Sequence, residues 1–215
     1  PDMPTTMPTT TSRKKTTRKK TPRKEKVSAE TLAAGQREIS VSEFFAKNRH
    51  LLGFDNPRKA VLTTVKEAVD NALDACEEAG ILPTITVTML QTDETRFKIT
   101  IQDNGPGIVR KQIENIFGKL LYGSKFHRMK MSRGQQGIGI SAAGMYGLMT
   151  TGKPVKIISK TGKRKPSHEV VLKIDTSKNR AEVVSDTEHP EDDQFFAEGH
   201  GTIVTIELEG KYQKG

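Results

Sequence analysis

A row of polar side chains at helical spacing is the part of the sequence whose residue types could do chemistry. Glu67, Asn71 and Asp74 stand at i, i+4 and i+7, which places them on one face of a helix. Carboxylates can act as general acids or bases, and carboxylate and amide oxygens can bind a ligand or a cation. The row contains no Lys, unlike the mixed Lys and Glu pairs of a solvated face. On spacing alone, a site and a solvated face are equally good interpretations.

The helix that must position this row has recognisable ends. Asn56 is a good N-cap, Pro57 suits the first turn, and Gly80 followed by Pro83 provides a stop. An apolar stripe runs beside the polar row and consists of Val61, Val65, Ala68, Ala72, Ala75 and Ala79. The sequence therefore predicts one amphipathic helix over residues 60–80.

Two glycine-rich stretches could bind a ligand through the backbone. In residues 103–107, Asp-Asn-Gly-Pro-Gly, a carboxylate ends a predicted strand and two glycines allow a close approach. Taken alone, this stretch is better explained as a plain turn. Residues 132–140 form a glycine loop that leads into a helix of small residues, 141–147. The free N–H groups and positive end of such a helix favour phosphate oxygens.

Two more familiar phosphate motifs do not fit. Residues 147–154 match a Walker A pattern except at Pro154, which has no hydroxyl for magnesium, and they follow a helix instead of a strand. Residues 137–142 resemble a dinucleotide fingerprint, but the polar residues 132–136 precede them where an apolar strand is needed. Neither a P-loop nor a Rossmann site is expected.

The remaining elements predict an α+β fold, a two-layer sandwich whose mixed, mostly antiparallel sheet has helices on one face. Alternating apolar residues predict half-buried strands at 84–91, 96–102, 155–160, 169–175, 181–185 and 202–209. Residues 28–36 and 40–46 read as short helices. The second of these, with Leu51, Leu52 and Phe54, must pack on this domain's own core or on a second copy of the protein.

Charge is concentrated at the N-terminus of this 215-residue chain. Residues 13–26 hold nine Lys or Arg and one acid, a net +8, which leaves 26 bases and 25 acids for the remainder. Residues 1–27 are therefore predicted to be a disordered basic arm that contacts DNA phosphates without reading sequence; a merely solvating extension is the alternative. A helical strap at 28–56, a globular domain at 57–211 and a short end at 212–215 complete the expected organisation.

Composition limits the class of protein. No apolar run approaches the length of a membrane span, and no signal peptide is visible, so a cytoplasmic protein without membrane contact is expected. The single cysteine, Cys76, lies in the predicted helix and is expected to be a small buried thiol. The five histidines are too scattered to predict a zinc site.

Taken in order, these motifs resemble the four ATP-site motifs of the GHKL superfamily of gyrase, heat-shock chaperone, histidine kinases and MutL. They are Glu67-x-x-x-Asn71-x-x-Asp74, Asp103-x-Gly105-x-Gly107, Gly134-x-x-Gly137-x-Gly139, and Gly201-Thr202 before a strand. More narrowly, residues 64–75, 120–127 and 132–143 resemble the B subunits of archaeal-type DNA topoisomerase VI. The resemblance covers residues 39–209 and omits the basic arm.

The resemblance implies a role for each residue. Glu67 would be the general base, Asn71 would bind Mg²⁺, and Asp74 would support the pocket. Asp103 would accept a hydrogen bond from the adenine amino group, and Thr202 would lie near Asp103. Gly105 and Gly107 would lie along the nucleoside. The phosphate side is implied to include Ser124, Lys125, Gly134, Gln135, Gln136, Gly137, Ile138, Gly139 and Ile140.

The resemblance also implies partners and a reaction. In this family, ATP joins two B subunits into a clamp, and an A subunit cuts and rejoins DNA, so that duplexes pass through one another and supercoils relax. A nucleoid-associated location in the cytoplasm follows. Because the chain ends before the family's transducer domain, slow turnover is expected from it alone. A MutL-like or chaperone-like ATPase clamp, or a scaffold that binds nucleotide without hydrolysis, remains as an alternative.

Overall fold

The computed structural model describes residues 41–118, 139–175, 178 and 180–212, which belong to one compact unit. The predicted arm, the first predicted helix at 28–36 and most of the glycine loop at 132–140 lie outside the described residues. Within the described part of the chain, no helix is both long enough and apolar enough to cross a membrane.

Four helices and six strands follow one another in the described residues. They are α1 (Val41–Asn48), α2 (Pro57–Ala79), β1 (Ile85–Asp93), β2 (Arg96–Asp103), α3 (Arg110–Gly118), α4 (Gly139–Thr151), β3 (Val155–Lys160), β4 (Ser167–Asp175), β5 (Arg180–His189) and β6 (Gly201–Glu209). Helix α3 has no counterpart among the predicted elements, although Ile113, Ile116 and Phe117 have helical spacing.

The six strands form one sheet in the order β1-β2-β6-β3-β4-β5, and all five described pairings are antiparallel. The register aligns one apolar row across the sheet, formed by Val87, Ile101, Val204, Ile157 and Val170. The helices pack on this face and bury the last four of these side chains. The predicted α+β fold with a mostly antiparallel sheet is confirmed.

Strand β1 corrects one expectation, namely that each predicted strand has a buried face. Val87 and Met89 point to the helix side of the sheet but are 44% and 39% exposed, and Leu90 on the other side is 56% exposed. The reason is position: β1 is the edge strand, and among the strands α2 contacts mainly β2 and β6. Alternation therefore predicted the strand correctly but not its burial.

Helix α2 has the predicted ends. The Asn56 side chain accepts a hydrogen bond from Arg58 N (2.8 Å), and Gly80 adopts the left-handed conformation with φ 67°. The apolar stripe is buried at Val61, Ala68 and Ala72 but ends in an exposed Ala79. Cys76 is fully buried, as predicted.

The apolar groups before α2 pack on this domain's own core. Phe45 and Phe54 are fully buried with ring centroids 6.0 Å apart, and Phe54 stacks at 5.1 Å on Tyr146 of α4. Phe45 and Phe54 therefore pack within the chain, which is one of the two arrangements that the sequence left open. Leu51 is the exception, because its side chain is 69% exposed.

Candidate functional site

A cavity of about 250 Å³ lies between α2 and the ends of β2 and β6, and the turn after β2, α3 and α4 close its sides. Its apolar walls include Ile101, Val204, Ile108 and Ile140. Its polar groups include Asn71, Asp74, Asp103 and Thr202. An apolar cleft with a few convergent polar groups is typical of a small-molecule site.

Asp103 is the most constrained polar group of this cavity. It is 8% exposed, and its Oδ1 accepts hydrogen bonds from Gly105 N (2.8 Å) and Thr202 N (3.2 Å). Burial raises the pKa of the Asp103 carboxyl above its ordinary value, although the two N–H groups and nearby His200 act in the opposite direction. The two hydrogen bonds fix the orientation of the carboxyl, which is a requirement for selective recognition.

Thr202 and Ser159 are hydroxyl residues on two neighbouring strands beside Asp103. Both are buried, and their hydroxyl oxygens lie 3.5 Å apart. Ser159 Oγ accepts from Ile108 N (2.7 Å) and donates to Gly201 O (3.3 Å), so one hydroxyl joins β3, β6 and the turn after β2. The sequence predicted Thr202 but not Ser159, whose signal was a small hydroxyl in an otherwise apolar strand.

The acidic row of α2 runs along the cavity. Asn71 and Asp74 line it, and Asp74 is 8% exposed. Glu67 lies one turn earlier, against the first residue of α4: a Cβ on Gly139 would overlap the Glu67 carboxylate. The acid therefore lies at the N-terminus of a 13-residue helix, on the same side of the sheet as the end of the glycine loop.

Lys66 places a positive charge beside the acidic row of α2. Its Nζ lies 2.7 Å from Asp70 Oδ2 and 3.7 Å from Glu67 Oε1, while its own side chain is largely exposed. The hydrogen bond to Asp70 raises the pKa of Lys66, so the ammonium group remains charged beside Glu67. The sequence row contained no Lys, but the fold adds one at its rim.

The two glycines after Asp103 serve the protein's own packing. Gly107 has φ 72°, and a Cβ there would overlap the carbonyl oxygen of Lys160. A Cβ on Gly105 would stand 2.9 Å from Asp103 Oδ1. Gly107 therefore allows the turn to pack closely on β3, and Gly105 allows it to pack closely on the Asp103 carboxylate. The two glycines thus fix the path of the turn that closes one side of the cavity.

The structure brings together nine of the predicted site residues: Glu67, Asn71, Asp74, Asp103, Gly105, Gly107, Gly139, Ile140 and Thr202. The other predicted residues lie outside the described part of the chain: Ser124, Lys125, Gly134, Gln135, Gln136, Gly137 and Ile138. Among the described residues, no group of three or more His, Cys, Asp or Glu side chains could hold a metal ion.

Comparison with known proteins assigns this arrangement to a family. The profile of the histidine kinase-, DNA gyrase B-, and HSP90-like ATPase family matches residues 60–202. The chain is 54% identical over 187 residues to the B subunit of type 2 DNA topoisomerase 6 from Methanosarcina barkeri, covering 87% of this chain and 29% of that protein. For the protein of the same name from Archaeoglobus fulgidus, the identity is 55% over 181 residues, covering 84% and 29%.

A solved structure gives a weaker likeness. The 43K ATPase domain of Thermus thermophilus gyrase B, in complex with an aminocoumarin, matches with a TM-score of 0.45 and 17% identity, over 78% of this chain and 39% of that chain. The chain thus spans under a third of the length of the curated relatives just described. The family profile covers the helix of the acidic row, the Asp103 turn and the start of β6 in their observed order, and the chain belongs to the family of histidine kinase-, DNA gyrase B- and HSP90-like ATPases.

Proposed function

We propose that this domain binds Mg-ATP and hydrolyses it as the ATPase portion of the B subunit of a type IIB DNA topoisomerase. The observation that carries the proposal is the order of groups along α2. Glu67 lies against Gly139 at one end, Asn71 and Asp74 follow, and Cys76 lies beside the turn of Asp103 at the other end. Glu67 and Cys76 are nine residues apart, about 14 Å along the helix axis, which leaves room for phosphates, sugar and base in a row.

The base end is suited to adenine. The buried carboxylate of Asp103 can accept a hydrogen bond from an exocyclic amino group, while Ile101, Ile108 and Val204 offer apolar surface to a flat ring. Guanine presents a carbonyl where adenine presents an amino group, so an ionised Asp103 disfavours it. The proposal therefore includes selectivity for ATP over GTP.

The phosphate end is suited to hydrolysis. Glu67 would take a proton from the attacking water, and the N–H groups at the start of α4 would hold negative oxygens. The donor set fits magnesium, because a hard cation that keeps waters and phosphate oxygens needs only one or two protein oxygens, here that of Asn71. Bound Mg²⁺ would neutralise phosphate charge. Asp74 would support the pocket, and Ser124, Lys125 and residues 134–138 would complete the phosphate side.

Calorimetry with Mg-ATP tests the binding proposal, and hydrolysis by the intact B subunit tests Glu67. Glu67→Gln keeps the shape of the side chain but removes the base, so we expect retained binding and a loss of hydrolysis of at least about a hundredfold. Glu77→Gln on the exposed part of the same helix is the matched control. Absence of Mg-ATP affinity in the wild type, or undiminished hydrolysis by Glu67→Gln, contradicts the assignment.

The identity to topoisomerase B subunits supports a further part of the proposal. With a DNA-cleaving A subunit, two ATP-bound copies of the B subunit would close a clamp and drive passage of one duplex through another. Light scattering of this chain with and without a non-hydrolysable ATP analogue measures the clamp step. We expect the mass to double with the analogue and to remain that of a monomer with Asp103→Asn; a mass independent of nucleotide rejects the clamp.

A further inference from the structure

Residues 190–200, which we name the connecting loop, join β5 to β6 on the sheet face opposite the helices. Gln102 and Lys160 point to that face, whereas their neighbours Asp103 and Ser159 point to the cavity. The connecting loop thus lies behind the base end of the proposed ATP site.

Three residues around Asp103 form hydrogen bonds with the connecting loop: Gln102 Nε2 donates to Phe195 O (3.0 Å), Asn104 Nδ2 donates to Glu198 Oε1 (3.2 Å), and His200 Nδ1 donates to Gly105 O (2.8 Å). Asn104 is held from its other side as well, because its Oδ1 accepts from Thr84 N (2.8 Å). The loop therefore contacts the residue before Asp103 and the two residues after it.

The backbone of Asp103 lies close to Gly201, the first residue of β6, which follows the connecting loop directly. A Cβ on Gly201 would overlap the carbonyl oxygen of Asp103 and would stand 2.7 Å from the ring of Phe196. The Phe196 ring is buried, so this contact excludes water.

The loop is itself anchored by one buried ion pair. Lys160 Nζ lies 2.9 Å from Asp193 Oδ2, and the two side chains are 2% and 6% exposed. Lys160 also donates to Glu191 O, and Asp193 Oδ1 accepts from Phe195 N (3.1 Å). Burial alone would raise the pKa of Asp193, but the hydrogen bonds led by that from Lys160 hold it below its ordinary value.

We propose that Lys160 and Asp193 are positioning residues for base recognition: their ion pair anchors the connecting loop, which holds Asp103 in the orientation that selects adenine. The inference rests on the proposed function, since it concerns the same site. Neither residue lines the cavity, so they act through the loop and not on the nucleotide. Hydrogen-bond selectivity depends on such support, because a carboxylate that can shift no longer discriminates between an amino group and a carbonyl.

The experiment compares the affinities of this chain for non-hydrolysable Mg-ATP and Mg-GTP analogues by calorimetry. Lys160→Met is expected to lower the ratio of the two affinities by roughly tenfold, the loss of one well-placed hydrogen bond. The matched control is Lys156→Met, because Lys156 lies on the same face of β3 and pairs with Glu169 at 2.8 Å but is 43% exposed. The control is expected to keep the wild-type ratio.

Circular dichroism and thermal melting establish whether each variant is folded. If Lys160→Met does not fold, Asp193→Asn replaces it, because the amide keeps an acceptor for Phe195 N while the charge is lost. A folded variant with the wild-type ratio overturns the inference, and so does failure of both variants to fold, since the pair is then purely structural. A wild-type chain that binds neither analogue refutes the proposed function instead.

Discussion

A single buried carboxylate, Asp103, combines two opposing effects. Its two backbone hydrogen bonds favour the charged form, and its removal from water favours the neutral form, with the second effect larger. Because Oδ1 receives both N–H groups, a side chain of the same shape preserves the turn. The charge of this side chain can therefore be removed by an isosteric substitution without changing the fold.

Asp103→Asn should weaken Mg-ATP binding by about 2 kcal/mol, roughly thirtyfold in Kd, because a hydrogen bond to a charged acceptor is lost. The asparagine Oδ1 can still accept from Gly105 N and Thr202 N, so the variant should fold. Calorimetry measures the change. Asp93→Asn is the control, since Asp93 also accepts from a backbone N–H, that of Glu94 (2.7 Å), but is exposed at the end of β1.

The raised pKa of Asp103 adds a pH dependence to the same prediction. Between its ordinary pKa and its higher pKa in the folded protein, the folded state binds more protons, so the free energy of unfolding decreases as pH rises through this window. ATP binding has the opposite trend, because only the ionised carboxylate accepts from adenine. The affinity for Mg-ATP should fall as pH falls through the pKa of Asp103 in the folded protein, and Asp103→Asn should remove this pH dependence. The same pH dependence of affinity in the variant and the wild type would contradict the prediction.

At the scale of elements, α3 and α4 are fixed to each other and to the sheet. Ser141 Oγ in α4 donates to Ile116 O in α3 (2.9 Å), and Arg110 Nε at the start of α3 lies 2.7 Å from Asp186 Oδ2 in β5. A Cβ on Gly118 would overlap Ala181. Residues 118 and 139, between which the predicted phosphate loop runs, are therefore both held by the domain.

The central and edge strands should differ sharply in their sensitivity to truncation. Ile99 of β2 is fully buried and lies directly opposite Met89 of the edge strand β1 in the register. Ile99→Ala should lower the free energy of unfolding by about 2–5 kcal/mol, whereas Met89→Ala should cost about 0.5 kcal/mol or less. Urea unfolding measures both. Equal losses in the free energy of unfolding would mean that Met89 of β1 is buried in solution.

At the scale of the whole molecule, net charge separates the chain into two parts. The segment 13–26 carries a net +8, and the remainder carries 26 bases against 25 acids. A nearly neutral domain has little general attraction for DNA, so non-specific affinity should depend on the arm. The domain does display one basic turn, which joins β3 to β4 and contains Lys163, Arg164 and Lys165.

Replacing the nine arm Lys and Arg by Gln should weaken duplex DNA binding and flatten its salt dependence. Each lost phosphate contact reduces the slope of log K against log salt by about 0.9. Fluorescence anisotropy at several salt concentrations measures the slope. The comparison variant replaces Lys163, Arg164 and Lys165 by Gln; if that variant loses more affinity than the arm variant, the DNA contact belongs to the folded domain.

Much of the fold was predictable because its signals are local. The ends of α2 depend on Asn56, Pro57 and Gly80, and strand alternation marks β2, β3 and β6. The acidic row and Asp103 stood out by residue type and spacing, but these signals alone left a solvated face and a plain turn as alternatives, and the resemblance to the GHKL motifs selected the site interpretation. Strand ends were less accurate: β5 extends to His189, beyond the predicted residue 185.

By itself, then, the sequence determined the caps of α2 and the mostly antiparallel sheet, and its motifs included Asn71, Asp74, Asp103 and Thr202, which line the cavity. Only the tertiary structure decided that Val87 and Met89 are partly exposed on the edge strand, and that Ser159 and the connecting loop form hydrogen bonds with residues around Asp103. The physical reason is sequence separation: Gln102 and Phe195 form a hydrogen bond although they are 93 residues apart in the sequence. Caps and alternation act within a few residues of the chain, whereas burial and second-layer support depend on which distant segments the folded sheet brings together.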